Sequence, residues 1–114
     1  MPLQNRTPTY QEKTAQLTLT VATVALVPIL VNAKVLIPLN TAAANVPNAY
    51  LRAGEISDYA QANVAFAVND KIYWDNTNSV FTNVSTGNTL CGYAIEASAA
   101  QSGVGLIEFN TNTA

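Results

Sequence analysis

The residues best equipped for chemistry lie in "NDKIYWDNTNSVFTNVSTGNTLCGYAIEA", residues 69–97, which holds Asp70, Asp75, Tyr73, Trp74 and the chain's one cysteine, Cys91. Two carboxylates five positions apart, with Asn76 and Asn78 beside them, suggest a calcium loop or an acid pair for glycoside hydrolysis. "DNTNS" lacks the central glycine and closing glutamate of an EF-hand loop. A glycosidase pair needs a sugar-binding cleft that no other residue implies. Asp70 opens a strand pattern and Asp75 closes it, so both read as turn and edge residues. Tyr73 and Trp74 resemble an aromatic ligand platform, but strand alternation sends neighbours to opposite faces. Trp74 is therefore expected in the core and Tyr73 outside. Cys91, between Leu90 and Gly92, reads as a small buried hydrophobe rather than a nucleophile.

The absences are equally informative. The sequence has no histidine, which removes the usual Ser-His-Asp and Cys-His activation and His-ligated zinc. One cysteine supports neither an intrachain disulfide nor a thiolate metal site. Arg6, Lys13, Lys34, Arg52 and Lys71 are scattered, so no basic stripe prepares a nucleic-acid surface. No phosphate-binding glycine loop, heptad or internal repeat occurs. Asn5-Arg6-Thr7 and Asn83-Val84-Ser85 match the glycosylation sequon, a pattern too common to use alone. Neither enzyme nor cofactor is expected.

The elements that would position these residues read as strands. Of 114 residues, 49% are hydrophobic and 11% charged. That is far below the usual quarter or so of charged residues and suits a chain that hides surface in an assembly. Residues 14–33, "TAQLTLTVATVALVPILVNA", form an uncharged run that could pass for a leader or membrane anchor. Leu17, Leu19 and Val21 alternate with threonines, and Pro28 and the β-branched residues disfavour a helix, so strands are expected. "AQLTLTVATVALV" and "AKVLIPL" read as strands broken near Pro28 and Asn32, and "NTAAANVPN" as a loop. "AYLRAGEI" reads as a strand with a bulge or close approach at Gly54. "SDYAQANVAFAV", residues 57–68, is the one place for a helical turn, capped by Ser57 or Asp58. "DKIYW", "SVFTNV", "TLCGYAIEA" and "VGLIEF" complete the set. Ile72 and Trp74 share one inward face; Cys91, Tyr93 and Ile95 share another. Short strands with frequent turns predict an all-β chain, a small β-sandwich or jelly-roll-like barrel. Its layout is an extended arm over 1–13, one domain over 14–110 and a polar tail over 111–114.

Residues 69–109 resemble the C-terminal half of a family of tailed-bacteriophage capsid cement, or decoration, proteins. The likeness rests on the strand motif at Asp70 to Asp75, the "TGNTLCGYA" strand at Thr86 to Ala94, the Ala-rich connector from Ala97 to Gly103, and the final strand from Val104 to Phe109. "YLRAGEI", with Gly54, is similar to the family's middle strand. Family members usually place glycine where Asn69 stands; asparagine also tolerates the left-handed turn expected there.

The resemblance implies a homo-oligomer, trimer favoured and dimer possible, on the outside of a phage head. It would be made in the host bacterial cytoplasm and would staple major capsid protein capsomers without nucleic acid, membrane or cofactor. In that reading Leu3, Arg6, Thr9 and Tyr10 of the arm grip the capsid, with Gly54, Ile72, Trp74, Cys91, Gly92, Tyr93 and Ile95 structural. The rival is a small carbohydrate-binding β-sandwich, for which Tyr10, Tyr50, Tyr59 and Tyr73 are the aromatics to inspect.

Overall fold

A computed structural model describes residues 13–111 and contains eight strands and no helix among them. They are β1 (Lys13–Thr18), β2 (Ile29–Val31), β3 (Lys34–Pro38), β4 (Pro47–Ile56), β5 (Lys71–Asp75), β6 (Val80–Thr82), β7 (Thr89–Ala94) and β8 (Ile107–Asn110). All pairings between them are antiparallel, in the order β2-β3-β4-β8-β7-β5-β6 with β1 added to β4, and the sheet curls into a half-barrel. The all-β expectation holds in this form.

Strand alternation builds the core. Ile72 and Trp74 of β5, Ile107 and Phe109 of β8, and Val35 and Ile37 of β3 turn inward to meet Phe66, Phe81, Cys91 and Ala94. Trp74 is 2% exposed and packs edge-on against Phe81, ring centroids 4.9 Å apart. An edge-to-face pair adds attraction beyond the area that it buries.

Strand β4 organises the N-terminal half. Leu51 pairs with Ile37 on one edge and with Thr14 on the other. β8 continues along the edge that β1 occupies, taking over at Ala53. Of the two alternatives expected at Gly54, the bulge lies two residues earlier: Arg52 is the extra residue between the Lys13–Ala53 and Thr14–Leu51 pairs. Gly54 itself is buried in regular pairing with Phe109.

Three other expectations change. The first strand stops at Thr18, because the chain beyond finds only scattered partners, such as the single Thr23–Ala42 bridge. The break at Asn32 is a tight hairpin: Asn32 and Ala33 take φ of 50° and 66°, the sign pattern of the two-residue turn that matches strand twist. Residues 57–68 form no helical turn. Their backbone bonds outward instead, Ala62 N–H to Phe81 O at 2.9 Å and Phe66 N–H to Ser98 O at 2.8 Å. The β-branched Val64 and Val68 and Asn63 give a helix too little local advantage over those partners.

Candidate functional site

The carboxylates singled out by spacing are consumed by their own turns. Asp75 Oδ1 accepts from the backbone N–H groups of Thr77 and Asn78 at 3.0 and 3.1 Å, and Oδ2 accepts from Asn78 Nδ2 at 2.8 Å. These bonds, led by the Asn78 side chain, hold its carboxyl below the ordinary aspartate value. Asp70 Oδ2 accepts from Ala67 N–H at 2.9 Å and from Asn83 Nδ2 at 3.4 Å. Asn69 adopts φ of 71°, the left-handed conformation expected of the turn there. Among the described residues no group of three or more His, Cys, Asp or Glu gathers as a metal-binding set. No helix there is long and apolar enough to cross a membrane.

Cys91 is fully buried, and burial pushes its thiol up to about 12. It is the extra residue of a bulge, lying between the Ile72–Gly92 and Tyr73–Leu90 pairs. The bulge shifts the alternation by one. Cys91 and Ala94 therefore face the core, whereas Tyr93, expected beside Cys91, is 38% exposed. Ile95 lies just past β7, half-buried. Gly92 permits the close approach of β8: a Cβ there would run into the Glu108 carbonyl oxygen.

Among the described residues, Tyr50, Tyr59 and Tyr73 do not line up as one exposed aromatic platform. Tyr50, considered as an exposed aromatic, is 1% exposed. Tyr59 donates its hydroxyl to Gly105 O and packs edge-on against Phe81. Burial is the main cause raising its pKa. Tyr73 is half-buried beside Thr82 and Leu90. Tyr10 lies outside the described residues, as do Leu3, Arg6 and Thr9.

One buried polar cluster escaped the sequence reading. Gln61 Oε1 accepts from Ser98 Oγ at 2.7 Å and Gly103 N–H at 2.9 Å, and its Nε2 donates to Val64 O at 2.7 Å. It ties residues 57–68 to the Ala-rich connector. A lone glutamine among alanines carries no local signal for that role.

The surface feature that stands out is apolar. Val21, Val24, Leu26, Val27, Leu30 and Val46 are exposed, Leu26 by 69% and Val24 by 58%. They belong to a lobe in which residues 19–31 lie against 39–46, through Asn45 N–H to Leu19 O at 2.7 Å and Ala25 N–H to Thr41 Oγ1 at 3.0 Å. From Thr14 to Leu51 the only charged residue is Lys34. Beside the lobe, Leu26, Pro28, Ile37, Ile56, Trp74 and Phe81 line an open groove of about 410 Å³. Six of the eleven exposed large hydrophobics among the described residues lie in this lobe; Leu17, Val68, Val84, Tyr93 and Val104 lie elsewhere.

The described chain is thus an all-β half-barrel that carries an apolar, nearly uncharged lobe. The sequence model of the family described as phage cement protein matches residues 10–109, and the chain belongs to that family. No curated protein and no solved structure matches it. The family is one of structural proteins associated with the phage capsid.

Proposed function

We propose that this chain is a non-enzymatic cement protein that binds the outer surface of a phage head. There it reinforces contacts between capsomers of the major capsid protein. The observation that carries the reading is the uncharged lobe. Six large aliphatic side chains on a chain of 114 residues are costly to leave in water, and a capsid surface would cover them. Many copies, each with a modest interface, sum to a rigid shell. The arm, with Leu3, Arg6, Thr9 and Tyr10, adds a second grip, and copies act as a homo-oligomer, a trimer or a dimer.

The test is co-sedimentation with expanded heads assembled without the protein. Wild type is expected to saturate at regular lattice sites, and Val24→Asp with Leu26→Asp to bind at least tenfold more weakly, about 1.4 kcal/mol. Removal of residues 1–13 should also weaken binding. No binding by wild type at any concentration would sink the reading and send the protein to a glycan array.

A further inference from the structure

The sheet order begins at β2 and ends at β6, and these two strands do not pair with each other, so the half-barrel is open along a seam. The groove of about 410 Å³ lies there. Leu26, Val27 and Pro28, which lead into β2, line it from one end of the sheet; Ser79 and Phe81, at β6, line it from the other. Leu26 N–H bonds Pro38 O at 2.7 Å, and residues 58–60 are held beside 79–81 by Phe81 N–H to Ala60 O at 2.9 Å and the parallel Gln61–Phe81 bridge. From this geometry and its charge we infer that the seam seats a short segment of a partner protein that presents an aliphatic side chain beside a lysine or arginine.

Charge defines the occupant. Of the twelve residues that line the groove, Asp58 alone is charged. It is exposed, and its carboxylate takes no hydrogen bond or ion pair among the described residues. Asp70 and Asp75, by contrast, are engaged by their own turns. None of Lys34, Arg52 and Lys71 lines the groove, so the complementary cation comes from outside. A purely apolar occupant would strip water from Asp58 and return nothing. A lysine or arginine lays its aliphatic stem on apolar surface while its head meets the carboxylate, so one segment satisfies both parts of the lining.

The groove is continuous with the apolar lobe, because Leu26 and Val27 belong to both, exposed by 69% and 43%. A small molecule in the groove would leave the lobe bare. A segment in the groove belongs to a partner broad enough to cover both. The rim is also strained: Leu26, Asp58 and Ser79 hold φ of 63°, 58° and 55°, a region that residues with side chains seldom adopt. Strain of this kind gathers where a binding edge must be presented.

The inference rests on the cement reading for who supplies the segment, a capsid protein, but the chemistry of the groove is testable without a head. NMR titration of the full chain with acetyl-leucyl-lysine amide, to about 10 mM, covers so small a contact. The basic dipeptide is expected to shift the amides of Leu26, Asp58 and Ser79 and to leave that of Tyr93, exposed on the outer face of the sheet, in place. Acetyl-leucyl-glutamate amide should shift none of them. Asp58→Asn keeps a residue type that tolerates the left-handed turn. It should weaken the basic dipeptide about threefold to fivefold, the range of a partly exposed ion pair, as should about 0.5 M salt. The amide spectrum of the variant confirms that it folds. No shift at the groove, equal shifts with both dipeptides, or undiminished binding to Asp58→Asn overturns the proposal. In co-sedimentation, heads that bind wild type and Asp58→Asn equally well overturn it and leave the cement reading standing. Heads that bind neither sink the cement reading, and the dipeptide titration then decides the groove by itself.

Discussion

Ser98 donates its hydroxyl to Gln61 Oε1 at 2.7 Å across 37 positions of sequence, in a fully buried bond. Gln61 thereby holds together two stretches that have no regular structure of their own. The loops between strands are anchored by buried polar contacts as well as by apolar packing.

The first prediction follows from that cluster. Gln61→Ala takes their side-chain partner from Gly103 N–H and Val64 O, while Ser98 Oγ keeps Ser102 Oγ and Gly105 N–H. The expected loss is about 3 kcal/mol, the upper range for stranding buried polar groups, read as a lower midpoint in urea with an unchanged slope. A loss below about 1 kcal/mol would mean that water replaces the glutamine.

Two glycines should separate steric from conformational cost. Gly92→Ala drives a Cβ into the Glu108 carbonyl, so β7 and β8 must part, at roughly 3 kcal/mol or more. At Gly87, φ is 74° and nothing lies within 4 Å of the added carbon. Gly87→Ala should cost about 1 kcal/mol of backbone strain alone. Equal melting temperatures for the two variants would contradict the assignment.

Cys91 provides a probe of opening. Burial holds its thiol at about 12, so at neutral pH the folded protein has almost no thiolate to react. An aromatic disulfide reagent should label it slowly in buffer and at once in denaturant, with the native rate tracking unfolding. Fast labelling of the native protein would place Cys91 outside the core.

Acid should weaken the turn after β5. The folded-state pKa of Asp75 is depressed, so its contribution is present above the ordinary value of 3.8 and is lost as pH falls through the lower folded value. The Asp75 carboxylate bonds to Thr77 and Asn78 of its own turn, so the effect is local. NMR titration should show the amides of Thr77 and Asn78 moving together at a pH below 3.8. A midpoint at or above that value would count against the hydrogen-bonded turn. Tyr59 has the opposite sense: its raised pKa contributes stability below about 10 that disappears as alkali drives pH through the folded value.

Much of this protein was decided by local sequence. Alternation in "DKIYW" was enough to send Ile72 and Trp74 inward. Asp and Asn in "DNTN" were enough for a turn, because each can bond the backbone beside it. The family was legible for a related reason: its motif lies in residues 69–109, where turns and short strands follow one another at close spacing. Only the tertiary structure could decide the rest. Whether residues 57–68 coil or bridge depends on Phe81 and Ser98, which are distant in sequence, and the bulge that turns Tyr93 outward exists only when β7 is set against β5. The uncharged run after Lys13 showed that something apolar was there. Only the pairing of β1 with β4 shows how that run is held, because a strand's partner belongs to the sheet rather than to the strand.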